Sequence, residues 1–168
     1  MAFAQHFLPE FDHEMTTTRT LLERVPEDHA TWRPHAKSMS LGDLAAHVGT
    51  IPGYGTGVVT HTEVDMNPPG GPAYTPARFT TRAELLATFD AKVAEARAAI
   101  AGAADDAFSV PWSLKSGGQT IFTVPRAGAL RTLMMNHIIH HRGQLSVYLR
   151  LLDVPLPSIY GPSADTPR

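Results

Sequence analysis

The sequence predicts an all-α protein, a four-helix bundle with long connections and a small β-hairpin between the third and fourth helices. Four segments carry apolar residues at helical spacing, two of them begin with a capping motif, and only one short region has strand character. The chain has 168 residues, of which 43% are hydrophobic and 18% charged, a globular composition. Because this length suits one core of ordinary size, we expect a single domain spanning residues 1–168.

The first two helices are predicted from apolar spacing and local start signals. Apolar residues recur at helical spacing from about Phe3 to Val25, and Pro9 is tolerated because it lies near the first turn. The second helix is predicted to begin at Ser40, where Ser40-Leu-Gly-Asp43 has the form of a capping box. Pro52 lacks the amide that would continue the helical hydrogen bonds, so we expect a kink or break there.

A proline- and glycine-rich loop separates the second helix from the third. Residues 66–80 contain four prolines and two glycines, a composition that predicts a long surface loop. The sequence Thr81-Arg-Ala-Glu84 is a second capping box. It predicts a third helix that runs to about Ala101.

The last third of the chain is predicted to contain the hairpin, the fourth helix and a tail. Residues 110–114 and 120–124 have strand character and flank a Gly-Gly pair, which indicates a small hairpin. The fourth helix is predicted from Pro125 to about Leu152. The remaining residues, 153–168, contain four prolines and are expected to lie extended on the body.

Composition also excludes several classes of function. The chain has no cysteine, which excludes disulfides, Cys-ligated zinc, iron–sulfur clusters and a thiol nucleophile of its own. The formal net charge is −2 and the basic residues are scattered, so we expect no nucleic-acid partner. No apolar run approaches the roughly 20 residues that cross a bilayer, and the start lacks a secretory pattern. We therefore expect no membrane partner and a cytoplasmic location.

Histidine is the conspicuous residue, with nine in the chain, and two of them share a face of the predicted fourth helix. At about 100° per residue, His137 and His141 fall within its apolar stripe, together with Leu130, Met134, Leu145, Tyr148 and Leu152. Two buried neutral imidazoles without partners would cost free energy, whereas rings at i and i+4 can share a divalent metal. The alternative is that each ring bonds a carbonyl group or a water molecule.

A third metal ligand is expected from a facing helix, and His47 is the leading candidate. It lies among apolar residues of the second helix, just before the expected break. Three histidines with an open position are typical of catalytic sites rather than of closed structural ones. Imidazole ligands suit zinc, nickel, copper and iron alike, so the residues leave the metal open.

Two other metal patterns fit the sequence poorly. A zinc protease motif needs a glutamate directly after its first histidine, and Ile138 occupies that position. A di-iron site needs two Glu-x-x-His pairs, and the chain has only Glu10-Phe-Asp-His13. We therefore expect neither a protease of this class nor a di-iron centre.

Other polar residues are interpreted more simply. His140 lies at the flank of the stripe and is expected to meet solvent or a partner chain, and His6 and His13 are expected at the surface or at a cavity rim. Arg142 faces away from the proposed metal and is expected to pair with a carboxylate or to pack on a dimer surface. Gln144 either supports His141 or makes an ordinary interhelical hydrogen bond.

These motifs together resemble those of the DinB family of damage-inducible bundle proteins, the DinB/YfiT-like metalloenzymes. The resemblance covers nearly the whole chain. It rests on Trp32-x-Pro34, on the segment from Ser40 to His47, on His137-Ile-Ile-His140-His141-Arg-Gly-Gln-Leu145, and on the closing stretch with Tyr160-Gly-Pro.

The resemblance implies a four-helix bundle, usually a homodimer, that binds zinc, nickel or iron through three histidines, here His47, His137 and His141. It also implies relatedness to enzymes that use a low-molecular-weight thiol as cosubstrate. We therefore expect a metal-dependent enzyme that activates such a thiol, as an S-transferase, or water, as a hydrolase, on a small-molecule substrate. The alternative is a non-catalytic metal-binding protein of the stress response. The catalytic residues are not identified by the sequence.

Overall fold

The structure, a computed structural model, describes residues 2–166 and is mostly helical with one small sheet. The helices are α1 (Phe3–Leu22), α2 (Leu41–Thr50), α3 (Pro52–Thr60), α4 (Arg82–Gly102) and α5 (126–151). The strands are β1 (Glu63–Asp65), β2 (Pro111–Ser116) and β3 (Gln119–Pro125). Within the described residues, no helix is both long enough and apolar enough to span a bilayer.

Both predicted capping motifs start helices. The side chain of Ser40 accepts a hydrogen bond from the amide of Asp43 at the start of α2, and Thr81 accepts one from the amide of Glu84 at the start of α4. Helix α1 ends at Leu22, earlier than the predicted Val25. Pro26 accounts for part of this difference, because a proline disfavours the helical conformation in the residue before it.

The break predicted at Pro52 is present and separates α2 from α3. Pro52 is the first residue of α3, where its missing amide costs no helical hydrogen bond. Gly55, one turn later, allows α3 to approach α5 closely, because a methyl group there would collide with the sulfur of Met134. Gly55 therefore lowers the helix propensity of α3 but permits this contact.

The fourth predicted helix is α5, and it is not uniform. It consists of an α-helical turn, Arg126–Ala129, a π-helical stretch, Leu130–Asn136, and a longer α-helix, His137–Leu151. The π-helical stretch was not predicted, because apolar spacing does not distinguish a local π-type widening from a regular α-helix. At the C-terminal end, Asp153 adopts a left-handed conformation with φ 56°, and the amide of Val154 bonds the carbonyl of Leu149, which closes the helix.

The predicted hairpin is formed by β2 and β3, which pair antiparallel. Its turn contains Gly117 and Gly118 with φ values of 63° and 77°, as a two-residue type I′ turn requires. Strand β1 adds to β2 in parallel and was not predicted, because three residues carry too little periodicity. The carboxylate of Asp65 in β1 accepts hydrogen bonds from the amides of Gly117 and Gly118, which ties β1 to the turn.

The core lies where the helices pack together. Helices α4 and α5 each contact α1, α2 and α3. Phe11, Leu44, Phe89 and Leu145, from α1, α2, α4 and α5, are all buried in one cluster. This packing places one face of α2 against one face of α5.

A buried ion pair joins α5 to α1 and to the C-terminal tail. Arg142 is 1% exposed, and its Nη1 lies 2.6 Å from Oε2 of Glu14. Tyr160, in the tail, donates its hydroxyl to Glu14 and accepts a hydrogen bond of 2.5 Å from Nη2 of Arg142. The prediction that Arg142 pairs with a carboxylate is confirmed. The extended tail is held at a second point by an ion pair between Arg150 and Asp165.

We predict that Arg142→Met lowers the free energy of unfolding by about 3–5 kcal/mol, because it leaves the Glu14 carboxylate buried without its cation. Urea unfolding followed by circular dichroism measures this loss. Arg97→Met is the matched control, since Arg97 pairs with Asp12 in an exposed position between α4 and α1, and little change is expected there. If both variants lose the same free energy of unfolding, the buried pair contributes no more to stability than the exposed one.

Candidate metal centre

The three histidines singled out by the sequence lie together between α2 and α5. His47 comes from α2, and His137 and His141 come from successive turns of α5. The ring centroids are 5.0 Å apart for His47 and His137, 4.6 Å for His47 and His141, and 4.7 Å for His137 and His141. One nitrogen from each ring lies within 4.8 Å of the others, a grouping that could hold a metal ion.

Hydrogen bonds to the outer nitrogens set the tautomers of two rings. Nδ1 of His137 lies 3.2 Å from the carbonyl oxygen of Leu133, in the π-helical stretch. Nδ1 of His141 lies 2.7 Å from Oε1 of Gln144. Because both oxygens can only accept, each Nδ1 carries the proton and each Nε2 keeps its lone pair. This is the tautomer that metal ligation through Nε2 requires, and Gln144 has the supporting contact that the sequence left open.

The spacing of the inner nitrogens also suits a metal ion. Nε2 of His47 lies 3.1 Å from Nε2 of His137. Two nitrogens bound to a tetrahedral zinc ion at about 2.0–2.1 Å lie about 3.3 Å apart. The donor set therefore fits a divalent ion with imidazole ligands.

Partial burial keeps the three rings neutral. The pKa of His47 is lowered to about 4, mainly by burial and in smaller part by the neighbouring His141 and His137. Burial also lowers the pKa of His137 and the pKa of His141, although the hydrogen bond to Gln144 opposes the shift at His141. At neutral pH the lone pairs of all three rings are therefore available to a cation.

A pocket of about 870 Å³ opens beside the histidines, and His47 and His137 form part of its wall. The apolar part of the wall comes from α3, the sheet, the loop after β1 and α5, with side chains that include Val58, Val64, Met66, Trp112, Leu114 and Leu133. A pocket of this size accommodates a drug-sized molecule. The site is therefore open to a small-molecule ligand on one side.

Tyr54 of α3 places a hydroxyl in the same pocket. Its ring stacks on His137 with centroids 5.9 Å apart, and its hydroxyl oxygen lies 3.3 Å from that of Tyr74 in the loop after β1. Burial raises the pKa of Tyr54, so the phenol keeps its proton. It can donate a hydrogen bond to a ligand beside the histidines.

Two charged pocket residues were missed by the sequence analysis. Asp43 lies four residues before His47 on α2, and it was interpreted only as part of the capping box. Its spacing from His47 is a signal that could have placed the carboxylate on the same helix face. Arg78 lies in the irregular loop before α4, where no periodic pattern indicates the direction of a side chain.

The other histidines lie outside the centre. His6, His13 and His140 are exposed, as expected, and so are His29, His35 and His61. Glu10, the carboxylate of the one Glu-x-x-His sequence, pairs with Arg131 at the surface. The absence of a second Glu-x-x-His pair and the position of Glu10 both disfavour a di-iron site.

Comparison with known proteins supports the relationship that the motifs indicated. The family model described as the DinB superfamily matches residues 10–145. An uncharacterised protein of Bacillus subtilis (strain 168), YrdA, is 24% identical over 165 residues, which cover 95% of this chain and 89% of that protein.

Two solved structures share the fold. A DinB-like protein from Bacillus cereus ATCC 10987 superposes with a TM-score of 0.69 at 19% identity, covering 93% of this chain and 97% of the other. A DinB-like protein from Bacillus subtilis, YjoA, has a TM-score of 0.66 at 22% identity, covering 90% and 94%. At these identities the structural likeness concerns the fold, and the match over residues 10–145 establishes that the chain belongs to the DinB superfamily.

Proposed function

We propose that the protein is a metal-dependent enzyme in which His47, His137 and His141 hold a divalent ion and activate a small thiol, or water, against a small-molecule substrate. The observation that carries the proposal is the convergence of three neutral imidazoles, two of which, His47 and His137, line a large pocket. A closed structural site would surround its ion with four protein ligands, whereas three leave a position for a reactant. Zinc, nickel and iron all suit these ligands.

A divalent ion held by three neutral imidazoles keeps its full positive charge and lowers the pKa of a thiol or water that binds beside it. The chain supplies the remaining parts of the reaction. Leu133 and Gln144 orient the rings of His137 and His141 through their Nδ1 atoms. The apolar wall formed by Val58 and Leu114 excludes water from the substrate.

Asp43 is the proton acceptor of this proposal, because it is the one carboxylate that lines the pocket within the described part of the chain. Its Oδ2 accepts a hydrogen bond of 2.7 Å from Ser40, which holds the side chain at the start of α2. The thiol or water loses its proton to the carboxylate, and its sulfur or oxygen forms the new bond to the substrate. The leaving group departs with the electron pair of the broken bond.

Two features are compatible with a thiol cosubstrate and an apolar electrophile. The chain contains no cysteine, so sulfur chemistry requires a thiol cosubstrate. The pocket wall is largely apolar, which suits an apolar electrophile better than a strongly hydrated one.

The packing of α1, α2, α4 and α5 supports the four-helix-bundle interpretation in which such a site lies between facing helices.

We predict that His47→Ala, His137→Ala and His141→Ala each lose stoichiometric metal, because two imidazoles hold a divalent ion far more weakly than three. Elemental analysis after reconstitution with zinc and desalting measures the bound metal. His140→Ala is the matched control, since His140 is exposed on α5 next to His141. A variant that retains one equivalent of metal removes its residue from the ligand set.

We predict that Asp43→Asn lowers the rate of thiol transfer to a generic electrophile such as monobromobimane by about 10²–10⁴-fold, because the amide cannot accept the proton. Bound zinc should stay unchanged. Ser40→Ala is the control, because it removes the cap and the contact to Asp43 but leaves the carboxylate. If both variants slow the reaction equally, the start of α2 matters rather than proton transfer. If several biological thiols give no transfer in the wild type, the transferase proposal fails.

We predict that the metal-free protein stays folded, because a large cluster of buried apolar side chains holds the helices together. Treatment with a chelator should leave the helical circular dichroism signal intact and lower the unfolding midpoint only by the amount that ligand linkage explains. Activity should be lost and should return with zinc. Unfolding on chelation would instead favour the non-catalytic alternative, in which the metal stabilises the structure.

A further inference from the structure

Besides the histidines, Arg78 is the one basic residue that the described part of the chain contributes to the pocket wall, and nothing in the proposed proton transfer uses it. Arg78 is exposed, and within residues 2–166 it forms neither an ion pair nor a side-chain hydrogen bond. In contrast, Arg142 and Arg97 are neutralised by Glu14 and Asp12. Arg78 therefore lines the apolar pocket without an ion-pair partner among the described residues, and it also lines a smaller neighbouring pocket that Glu84 shares.

The backbone around Arg78 is placed by packing against α2. Its neighbour Phe79 lies against the start of that helix, where a methyl group at Gly42 would contact the Phe79 Cβ. This contact holds Arg78 close to α2, the helix that carries His47. Asp43, on the same helix, also lines the pocket, but its carboxylate does not pair with the guanidinium group of Arg78. The guanidinium group is free to meet an anion from solution.

The apolar residues of the pocket wall indicate which kind of anion fits the pocket. Val58, Val64, Trp112 and Leu114 give the pocket an extended apolar surface that a hydrated inorganic ion would not cover. A carboxylate suits the planar fork of an arginine, which can donate two parallel hydrogen bonds to it. A ligand with an apolar body and one carboxylate would satisfy both parts of the pocket.

We propose that the pocket binds a small organic carboxylate, with its apolar body against the wall formed by α3 and the sheet and its carboxylate on Arg78. This proposal rests on the function proposed above, because the organic carboxylate would be the substrate of that enzyme. The interaction with Arg78 does not require a metal, however, and it can be measured in the metal-free protein.

The test compares two probes that share the same apolar body, the carboxylate 4-phenylbutyrate and the uncharged amide 4-phenylbutanamide. Binding of each is measured by NMR titration of the full-length, metal-free protein. The acid should bind the wild type about 2- to 5-fold more tightly than the amide, as an exposed charge pair allows. Arg78→Gln should abolish this preference without changing the affinity for the amide. Arg78→Lys should keep part of it, because the charge remains while the fork is lost.

Arg24→Gln is the matched control, because Arg24 is exposed, carries the same charge and does not line the pocket. It should leave the preference for the acid intact. The proposal is overturned if the wild type binds both probes equally or does not bind the acid at millimolar concentration. It is also overturned if Arg78→Gln weakens both probes equally, which indicates a structural role.

A repeat with zinc-loaded protein separates this proposal from the proposed function. If the preference for the acid appears only with zinc and survives Arg78→Gln, the carboxylate binds the metal and the role of Arg78 is disproved. If the protein binds neither zinc, nickel nor iron, the proposed enzyme is disproved, while the result in metal-free protein still decides whether Arg78 binds carboxylates.

Discussion

The packing of α2 against α5 is the contact on which the candidate site depends. His47 is separated from His137 by 90 residues, and only this helix pair brings their Nε2 atoms to 3.1 Å. Apolar side chains such as Leu44 and Leu145 are buried in the same cluster, so the free energy of core formation also holds the histidines together. Separating the two helices would expose this core, which makes the arrangement of the three rings a consequence of folding rather than of metal binding.

The partial burial of the site follows from the way the chain continues after α2. The helix breaks at Pro52, and α3 then leads into β1 and the long loop, which together with β2 form much of the pocket wall. The rings are desolvated enough for their pKa values to fall below the ordinary histidine value, as for His47. The pocket nevertheless remains open, so a ligand can reach His47 and His137. Neutral imidazoles and access for a ligand are both needed for metal-assisted chemistry.

Much of the secondary structure was predictable because its signals are local. Ser40 and Thr81 cap helices through residues three positions ahead, and Gly117 and Gly118 supply the positive φ angles of the hairpin turn. The π-helical stretch Leu130–Asn136 and the three-residue strand β1 were not predicted. Strand β1 is stabilised by Asp65, whose partners lie about fifty residues away in the chain. The residue pattern within β1 does not indicate such a distant contact.

The features of the candidate site also divide into those that the sequence predicts and those that only the tertiary structure decides. The sequence alone determined that His137 and His141 share one face of a helix and that His47 lies on an apolar helix before a break, because helical periodicity acts over a few residues. Tertiary structure decided that the three rings converge, that Asp43 and Arg78 share a pocket with them, and that Arg142 is buried beside Glu14. Those outcomes depend on which helix faces pack together, and packing is settled by contacts among residues far apart in the chain.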